Sequence, residues 1–293
     1  MAVVSSPNSS APPRVIDAHV HVWNLADSPS RADYPWLGPQ LPLLNRSYEL
    51  TELAPELAAA GVDAVVLVQA ADAAAETEQL LRVAADSPVP ARVVGWLPLA
   101  DPGVTTVALQ RFRDNLTLTG VRHLIHDAPD PQWLLRADVA QGMELVAEAG
   151  LSFDAVAERP DLLAQLPTVA GRHPELTIVL DHLGKPPIAD AGWQPWADLL
   201  AAAAAEPNVV GKISGLGTAS EPGWTPDHWQ RYVDHAIDVF GPDRLMLGGD
   251  WPVALQAGSY ADIWAATLAV LDGLTESDRS RILGETAARV YRF

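Results

Sequence analysis

Cysteine is absent from the 293 residues, so neither disulfides nor thiolate chemistry is available to this chain. Lysine is almost absent: Lys185 and Lys212 are the only two. Lysine and arginine together number 19 against 37 aspartates and glutamates, a formal net charge of −18. Nucleic-acid phosphates need clustered cations, and a chain this acidic argues against such a partner. No run of 18 apolar residues occurs, so no membrane span is expected. The first 13 residues lack the basic stretch and apolar run of a secretory signal. They read as a disordered tail ahead of one domain over residues 14–293. A cytoplasmic location is the expectation that goes with these absences; the oligomeric state has no signal here.

What is present is largely apolar, 48% of the chain. Runs dense in Val, Ile and Leu recur at 15–23, 63–70, 92–99, 120–126, 151–157, 176–183, 208–216 and 244–253. That composition suits parallel strands buried on both faces. Between them, segments at 51–60, 76–85, 104–117, 132–149, 159–173, 194–206, 226–240 and 260–273 read as helices, with a last one at 276–289. Asp130 before Pro131 and Thr225 before Pro226 have the form of helix starts. Gly61 and Gly150 have the form of helix ends. Eight strand–helix units make a closed (β/α)8 TIM barrel of the α/β class the simplest architecture. An open doubly wound sheet would carry a Gly-rich phosphate loop after its first strand. Here His19-Val20-His21-Val22-Trp23 follows instead. The first connection, 24–50, is long and holds Tyr34-Pro35-Trp36, a loop of the size often used over an active face.

Barrel chemistry sits at the C-terminal ends of the strands. Strand alternation puts Asp17, His19 and His21 on one face of the first strand. Two imidazoles in His-x-His spacing can reach one ion; a hydrogen-bonded structural pair is the plainer alternative. Asp181-His182 ends the sixth strand, and alternation admits only one of the two to the barrel mouth, expected to be His182. Asp250 ends the eighth strand between Gly248-Gly249 and Trp251-Pro252. It can ligate a metal or act as general base on water. Three imidazoles and this carboxylate point to a hydrolase. On the fourth strand, alternation favours Arg122 and His126 facing inward and His123 outward. Trp36 and Trp251 are candidates for stacking on a sugar ring, or for packing. Gln69 and Asp154 are candidates for binding hydroxyls. Lys212, costly inside an apolar strand, is either a rim residue or a substrate contact. Lys185 reads as a solvated loop residue.

Four segments carry a resemblance: His19-Val20-His21, Gly120-Val121-Arg122-His123, Asp181-His182-Leu183-Gly184-Lys185-Pro186-Pro187 and Gly249-Asp250-Trp251-Pro252-Val253. With Tyr34-Pro35-Trp36, Pro129-Asp130 and Trp133-Leu134, they resemble the amidohydrolase superfamily from about Val15 to Phe293. The resemblance is strongest to its lactonase branch of L-fucono-1,5-lactonases, L-rhamnono-γ-lactonases and 2-pyrone-4,6-dicarboxylate lactonases. It implies a metal-dependent-hydrolase-like barrel that opens a lactone ester, most readily a neutral sugar lactone. The expected catalytic set is Asp250 as base, His182 or Arg122 on the oxyanion, and His19 and His21. The expected substrate-binding set is Trp36, Gln69, His123, His126, Asp154, Lys212 and Trp251. The resemblance implies at most one divalent ion, zinc before others, on His19, His21, His182 and Asp250; it also allows a metal-free site and implies no organic cofactor. The fourth strand lacks the bridging Lys or Glu of two-metal relatives and the fifth lacks their His, which argues against a second ion. His126 stands where relatives resembling L-fuconolactonase often carry Gln, which leaves the sugar open. The alternative reaction in such a barrel is metal-dependent decarboxylation.

Overall fold

The computed structural model describes residues 15–26 and 32–293. The expected N-terminal tail lies outside the described residues. Eight parallel strands follow the chain order: β1 Ile16–Val20, β2 Ala64–Val68, β3 Ala91–Gly95, β4 Leu118–His123, β5 Ser152–Ala155, β6 Ile178–Leu180, β7 Val209–Ile213 and β8 Leu245–Leu247. Each pairs with the next. The ring closes between the end of β1 and the residues just beyond β8. Val20 pairs in parallel with Trp251. The Asp250 N–H donates to the His19 carbonyl at 2.8 Å, and the His21 N–H to the Trp251 carbonyl at 2.7 Å.

The helices are α1 Leu50–Ala59, α2 Ala74–Ala85, α3 Pro102–Phe112, α4 Ala137–Glu148, α5 Pro160–Leu163, α6 Leu166–Arg172, α7 Trp196–Ala204, α8 Pro226–Phe240, α9 Tyr260–Ala269, α10 Glu276–Ser280 and α11 Thr286–Tyr291. Thr225 caps α8 as expected, in a reciprocal arrangement with His228. The same helix buries Trp229, Tyr232, Val233, Ala236 and Phe240 along one stripe. Gly61 and Gly150 adopt φ of 69° and 68° after α1 and α4, the left-handed form of helix ends. Asp130 does not cap α4. Its carboxylate accepts from the Gln132 N–H in a short turn, and α4 begins only at Ala137. The helix expected over 159–173 is divided into α5 and α6, and the last helix is interrupted by a wider turn at Arg281–Glu285.

Two apolar clusters divide the strand residues by alternation. Leu67, Val93, Val121, Phe153, Ile178, Val209 and Leu245 pack outward against the helices. Ile16, Ala18, Val66, Val94, Val179, Val210 and Met246 fill the barrel interior, where Ala287 and Tyr291 of α11 join them. Strand β1 changes sides partway. Asp17 pairs with Val65 but Val20 with Leu67, three steps on β1 against two on β2. This β-bulge reverses the alternation, as bulges beside active sites commonly do. Asp17 therefore does not share a face with His19 and His21.

The long first connection is held down over β2. Tyr34 Oη donates to Glu76 at 3.0 Å, and Glu76 also accepts from the Ala70 and Ala71 N–H groups. Trp36 Nε1 donates to the Ala70 carbonyl at 2.8 Å. Elsewhere α4 lies so close to the segment after β3 that a Cβ on Gly142 would sit 2.3 Å from the Leu99 carbonyl oxygen. Gly142→Ala is accordingly expected to lower unfolding stability by about 2 kcal/mol through overpacking, read as a shifted denaturation midpoint with an unchanged slope.

Candidate active site

The bulge and the β1–β8 seam set the floor of the site. Asp17, turned away from the interior, accepts from the Gly249 N–H at 2.7 Å, the His19 N–H at 3.0 Å and Tyr260 Oη at 2.9 Å. Burial pushes its carboxyl up to about 6. Gly249 has no room for a side chain: a Cβ there would meet Asp17 and the Tyr260 ring at 2.6 Å. Asp250 follows with φ of 56°, a region costly for a residue with a Cβ, and this aims its carboxylate back over β1.

There it meets two rings. His19 Nε2 and His21 Nε2 are 3.1 Å apart, and Asp250 Oδ1 lies 3.8 Å from the first and 3.6 Å from the second. All three residues are buried. Burial holds both imidazoles below their usual range, so they are neutral. Burial also acts to raise Asp250, but the neighbouring imidazoles, His182 foremost, outweigh it and hold the carboxyl below its usual range.

The tautomers follow from the partners. His21 Nδ1 lies 2.8 Å from the Val68 carbonyl, which only accepts. Its proton is therefore on Nδ1, and Nε2 presents a lone pair. His19 Nε2 faces Arg122 Nη1, a donor, at 3.2 Å. His19 Nδ1 lies between Lys212 Nζ at 3.2 Å and Asp181 Oδ1 at 3.4 Å. Both ring nitrogens thus face a donor. Asp181 Oδ1 decides between them: Lys212 approaches it at 3.1 Å, but no aligned hydrogen bond reaches it, so it needs the Nδ1 proton. Three acceptors then converge with no proton among them. A tetrahedral zinc with bonds of about 2.0–2.1 Å spaces its ligands by roughly 3.3 Å. The triangle of His19, His21 and Asp250 fits one divalent ion. His182, expected as a fourth ligand, does not join it. Its Nδ1 bonds Ser214 Oγ at 2.8 Å, and it groups with His19 and Asp181 instead.

Beneath the triangle lies a buried layer of charge. Lys212 Nζ reaches Asp154 at 2.6 Å, and Asp154 also accepts from Tyr291 Oη at 2.7 Å and from Ser152 Oγ at 3.0 Å. Arg122 Nη1 donates to Asp181 Oδ2 at 2.9 Å. Burial pushes Asp154 up, against the pull of Lys212; for Asp181, Lys212, His19 and Arg122 more than reverse the effect of burial and hold it well below its usual range.

Above the triangle opens a cavity of about 300 Å3 lined by His21, Trp36, Arg122, His126, Glu158 and Lys185, with Leu124, Val156 and Val253. Arg122 Nε and His126 Nδ1 are buried there without a hydrogen-bond partner among the described residues. Lys185 is not a solvated loop residue: it pairs with Glu158 at 3.2 Å across the cavity wall. His123 lies to one side, its Nε2 2.6 Å from the Leu97 carbonyl and its ring against Trp96 and Trp133.

Several expected contacts lie elsewhere. Asp154 and Lys212 are wholly buried below the cavity and bond each other. Gln69 is also wholly buried, donating to Asp72 and to the Arg122 carbonyl. Trp251 packs edge-on against Tyr48, with ring centroids 5.2 Å apart, and is absent from the cavity wall. Both Asp181 and His182 turn inward. Strand alternation stops at Leu180, and His182 and Leu183 take φ of 55° and 50°, so a left-handed turn replaces the next two strand positions. Sequence reasoning missed Asp181 for that reason. Glu158 was missed although it stands just past β5, at a strand end like the others.

The amidohydrolase family profile matches residues 16–293. An L-fucono-1,5-lactonase of Burkholderia multivorans is 37% identical over 299 residues, covering 94% of this chain and 95% of that protein. One of Burkholderia ambifaria is 35% identical over 284 residues, with the same coverage. A crystal structure of an amidohydrolase from Burkholderia multivorans with bound zinc superposes with a TM-score of 0.88 at 35% identity, covering 96% of this chain and 99% of that one. Matched from its first strand to its last residue, this chain belongs to the amidohydrolase family.

Proposed function

We propose that this chain is a lactonase that hydrolyses the ring ester of a neutral sugar lactone, an aldonolactone of the L-fuconolactone kind. Lactonases 35% and 37% identical over nearly the whole chain support that reading over decarboxylation. The observation that carries it is the Asp250 carboxylate 3.6 Å from His21 on the cavity wall, with Arg122 of the same wall carrying an unused Nε–H.

In this reading Asp250 takes a proton from water, and the hydroxide adds to the lactone carbonyl. The oxyanion is received by Arg122 Nε; one such donor is worth roughly 3–4 kcal/mol. The tetrahedral intermediate then collapses. The acyl–oxygen bond breaks, and Asp250 returns its proton to the ring oxygen as it leaves. Water is consumed and a hydroxy acid is released. A weak base suffices because an ester carbonyl is far more electrophilic than an amide. A divalent ion, when bound, would be held by His19 Nε2, His21 Nε2 and Asp250 Oδ1 and would supply Lewis-acid polarisation. The second oxygen of Asp250 remains for the proton. His126 Nδ1, Glu158 and Lys185 offer hydrogen bonds to sugar hydroxyls, and Trp36 an apolar face. Asp181 and Lys212 act beneath the substrate, holding Arg122 and the ring of His19 in place. Residues 14–293 form the catalytic unit in this reading. A cytoplasmic location is in keeping with a chain that has no cysteine.

Asp250→Asn is expected to lower kcat by about 10²–10⁴-fold with an unchanged circular dichroism spectrum; near-normal acid release from aldonolactones would remove Asp250 as base. Asp181→Asn is expected to weaken zinc binding about 10–100-fold, read by metal titration, and to lower kcat more than it raises KM. A base held below its usual range stays deprotonated as the pH falls. The kcat/KM profile should therefore be flat from about pH 8 to about pH 5, and an acid limb near pH 6 would assign the base to a histidine.

A further inference from the structure

A second cavity adjoins the first. It measures about 460 Å3 and is walled by Asp33, Asp72, His123 and Trp133, with Trp36, Leu124 and Asp127 shared between the two. The shared wall is a rim rather than a ceiling, because the Asp127 side chain is 63% exposed. A molecule seated over His21 and Arg122 would reach the second cavity past Trp36, Leu124 and Asp127.

The two cavities differ in chemistry. The first presents the guanidinium of Arg122 and the ammonium of Lys185. Among the described residues the wall of the second presents no lysine or arginine. Its charged groups are the carboxylates of Asp33, Asp72 and Asp127, and its histidine is kept neutral by burial. An anionic extension such as a phosphate, sulfate or uronate would be repelled there. An aliphatic chain would cover carboxylates without giving them a donor. A neutral polyhydroxylated ring meets both demands, with hydroxyls donating to carboxylates and C–H faces lying on aromatic rings.

The platform for such a ring is already built. His123 is fixed by the Leu97 carbonyl, and its ring contacts Trp96, at a centroid distance of 5.4 Å, and Trp133, which shares the cavity wall with it, at 4.7 Å. Ligand cavities run from about 300 to 1,000 Å3. The first chamber alone is at the bottom of that range, with space for a single small ring.

We infer that the second cavity is a glycosyl subsite, so that the preferred substrates are aldonolactones carrying a neutral sugar on a ring hydroxyl, that is, disaccharide lactones. The inference rests on the lactonase reading of the first chamber. Hydrolysis is the same in both cases: water adds across the acyl–oxygen bond and the glycosidic bond is untouched.

The test compares steady-state kinetics on a panel of simple aldonolactones and on the same lactones bearing a neutral hexosyl group, with the wild-type chain and Trp133→Ala. The glycosylated lactone is expected to have a KM lower by about tenfold. Trp133→Ala should erase that advantage while leaving the kinetics of the simple lactone within about twofold. Calorimetry on the wild-type chain should also show the disaccharide aldonate binding more tightly than the simple aldonate. This measurement does not depend on the variant folding. Simple lactones hydrolysed with no gain from the hexosyl group would overturn the subsite and leave the lactonase reading standing. Equal losses on both substrates in a well-folded Trp133→Ala would also overturn it. Failure to hydrolyse any lactone would overturn both.

Discussion

The site depends on one seam, where β1 meets the residues that follow β8. In a closed barrel the first and last strands must pair, and here they pair through the backbones of the candidate site residues themselves. His19 accepts from Asp250, and His21 donates to Trp251. The carboxylate and the two imidazoles are therefore set side by side by the same hydrogen bonds that close the ring. The β1 bulge makes this compatible with a packed interior. It lets Ile16 and Ala18 fill the barrel and then turns His19 and His21 inward, while Asp17 faces out and fastens the Gly249 turn and Tyr260. Closure and catalytic geometry are one constraint, which leaves little freedom for either to drift.

Under that floor, two cations and two carboxylates are buried together. Lys212 and Arg122 balance Asp154 and Asp181. Such a layer is costly to desolvate and is tolerable only when every charge has partners. Its return is directional: Asp181 holds Arg122 by one oxygen and faces His19 with the other. The guanidinium spends its inner nitrogen on the framework and keeps Nε for the cavity. Tyr291 brings the end of the chain into the same layer through Asp154.

The cavity above is shaped mainly by loops at the strand ends. Trp36 arrives from the long first connection, pinned through Tyr34, Glu76 and the Ala70 carbonyl. Lys185 leaves the left-handed turn after β6 and meets Glu158 from beyond β5. The framework below is rigid and paired, whereas the rim keeps unpaired donors and acceptors. Binding residues are commonly carried on loops positioned by such a scaffold.

The architecture and much of the chemistry were legible in the residues alone. Hydrophobic runs separated by helical segments give eight strand–helix units, because a parallel strand must be apolar on both faces. His19, His21 and Asp250 were legible because each stands where such a strand ends, and Arg122 because its residue type suits an oxyanion. Alternation failed where the backbone departed from a regular strand. The bulge moved Asp17 to the other face, and the left-handed turn brought Asp181 in beside His182. Only the folded chain decided that Asp154 and Lys212 neutralise each other below the cavity, that Trp251 packs against Tyr48, and that Glu158 and Lys185 meet across it. Those pairings join residues far apart in the chain. Local pattern reports the period of an element, whereas which side chains meet across a closed barrel depends on register, and one extra residue is enough to change it.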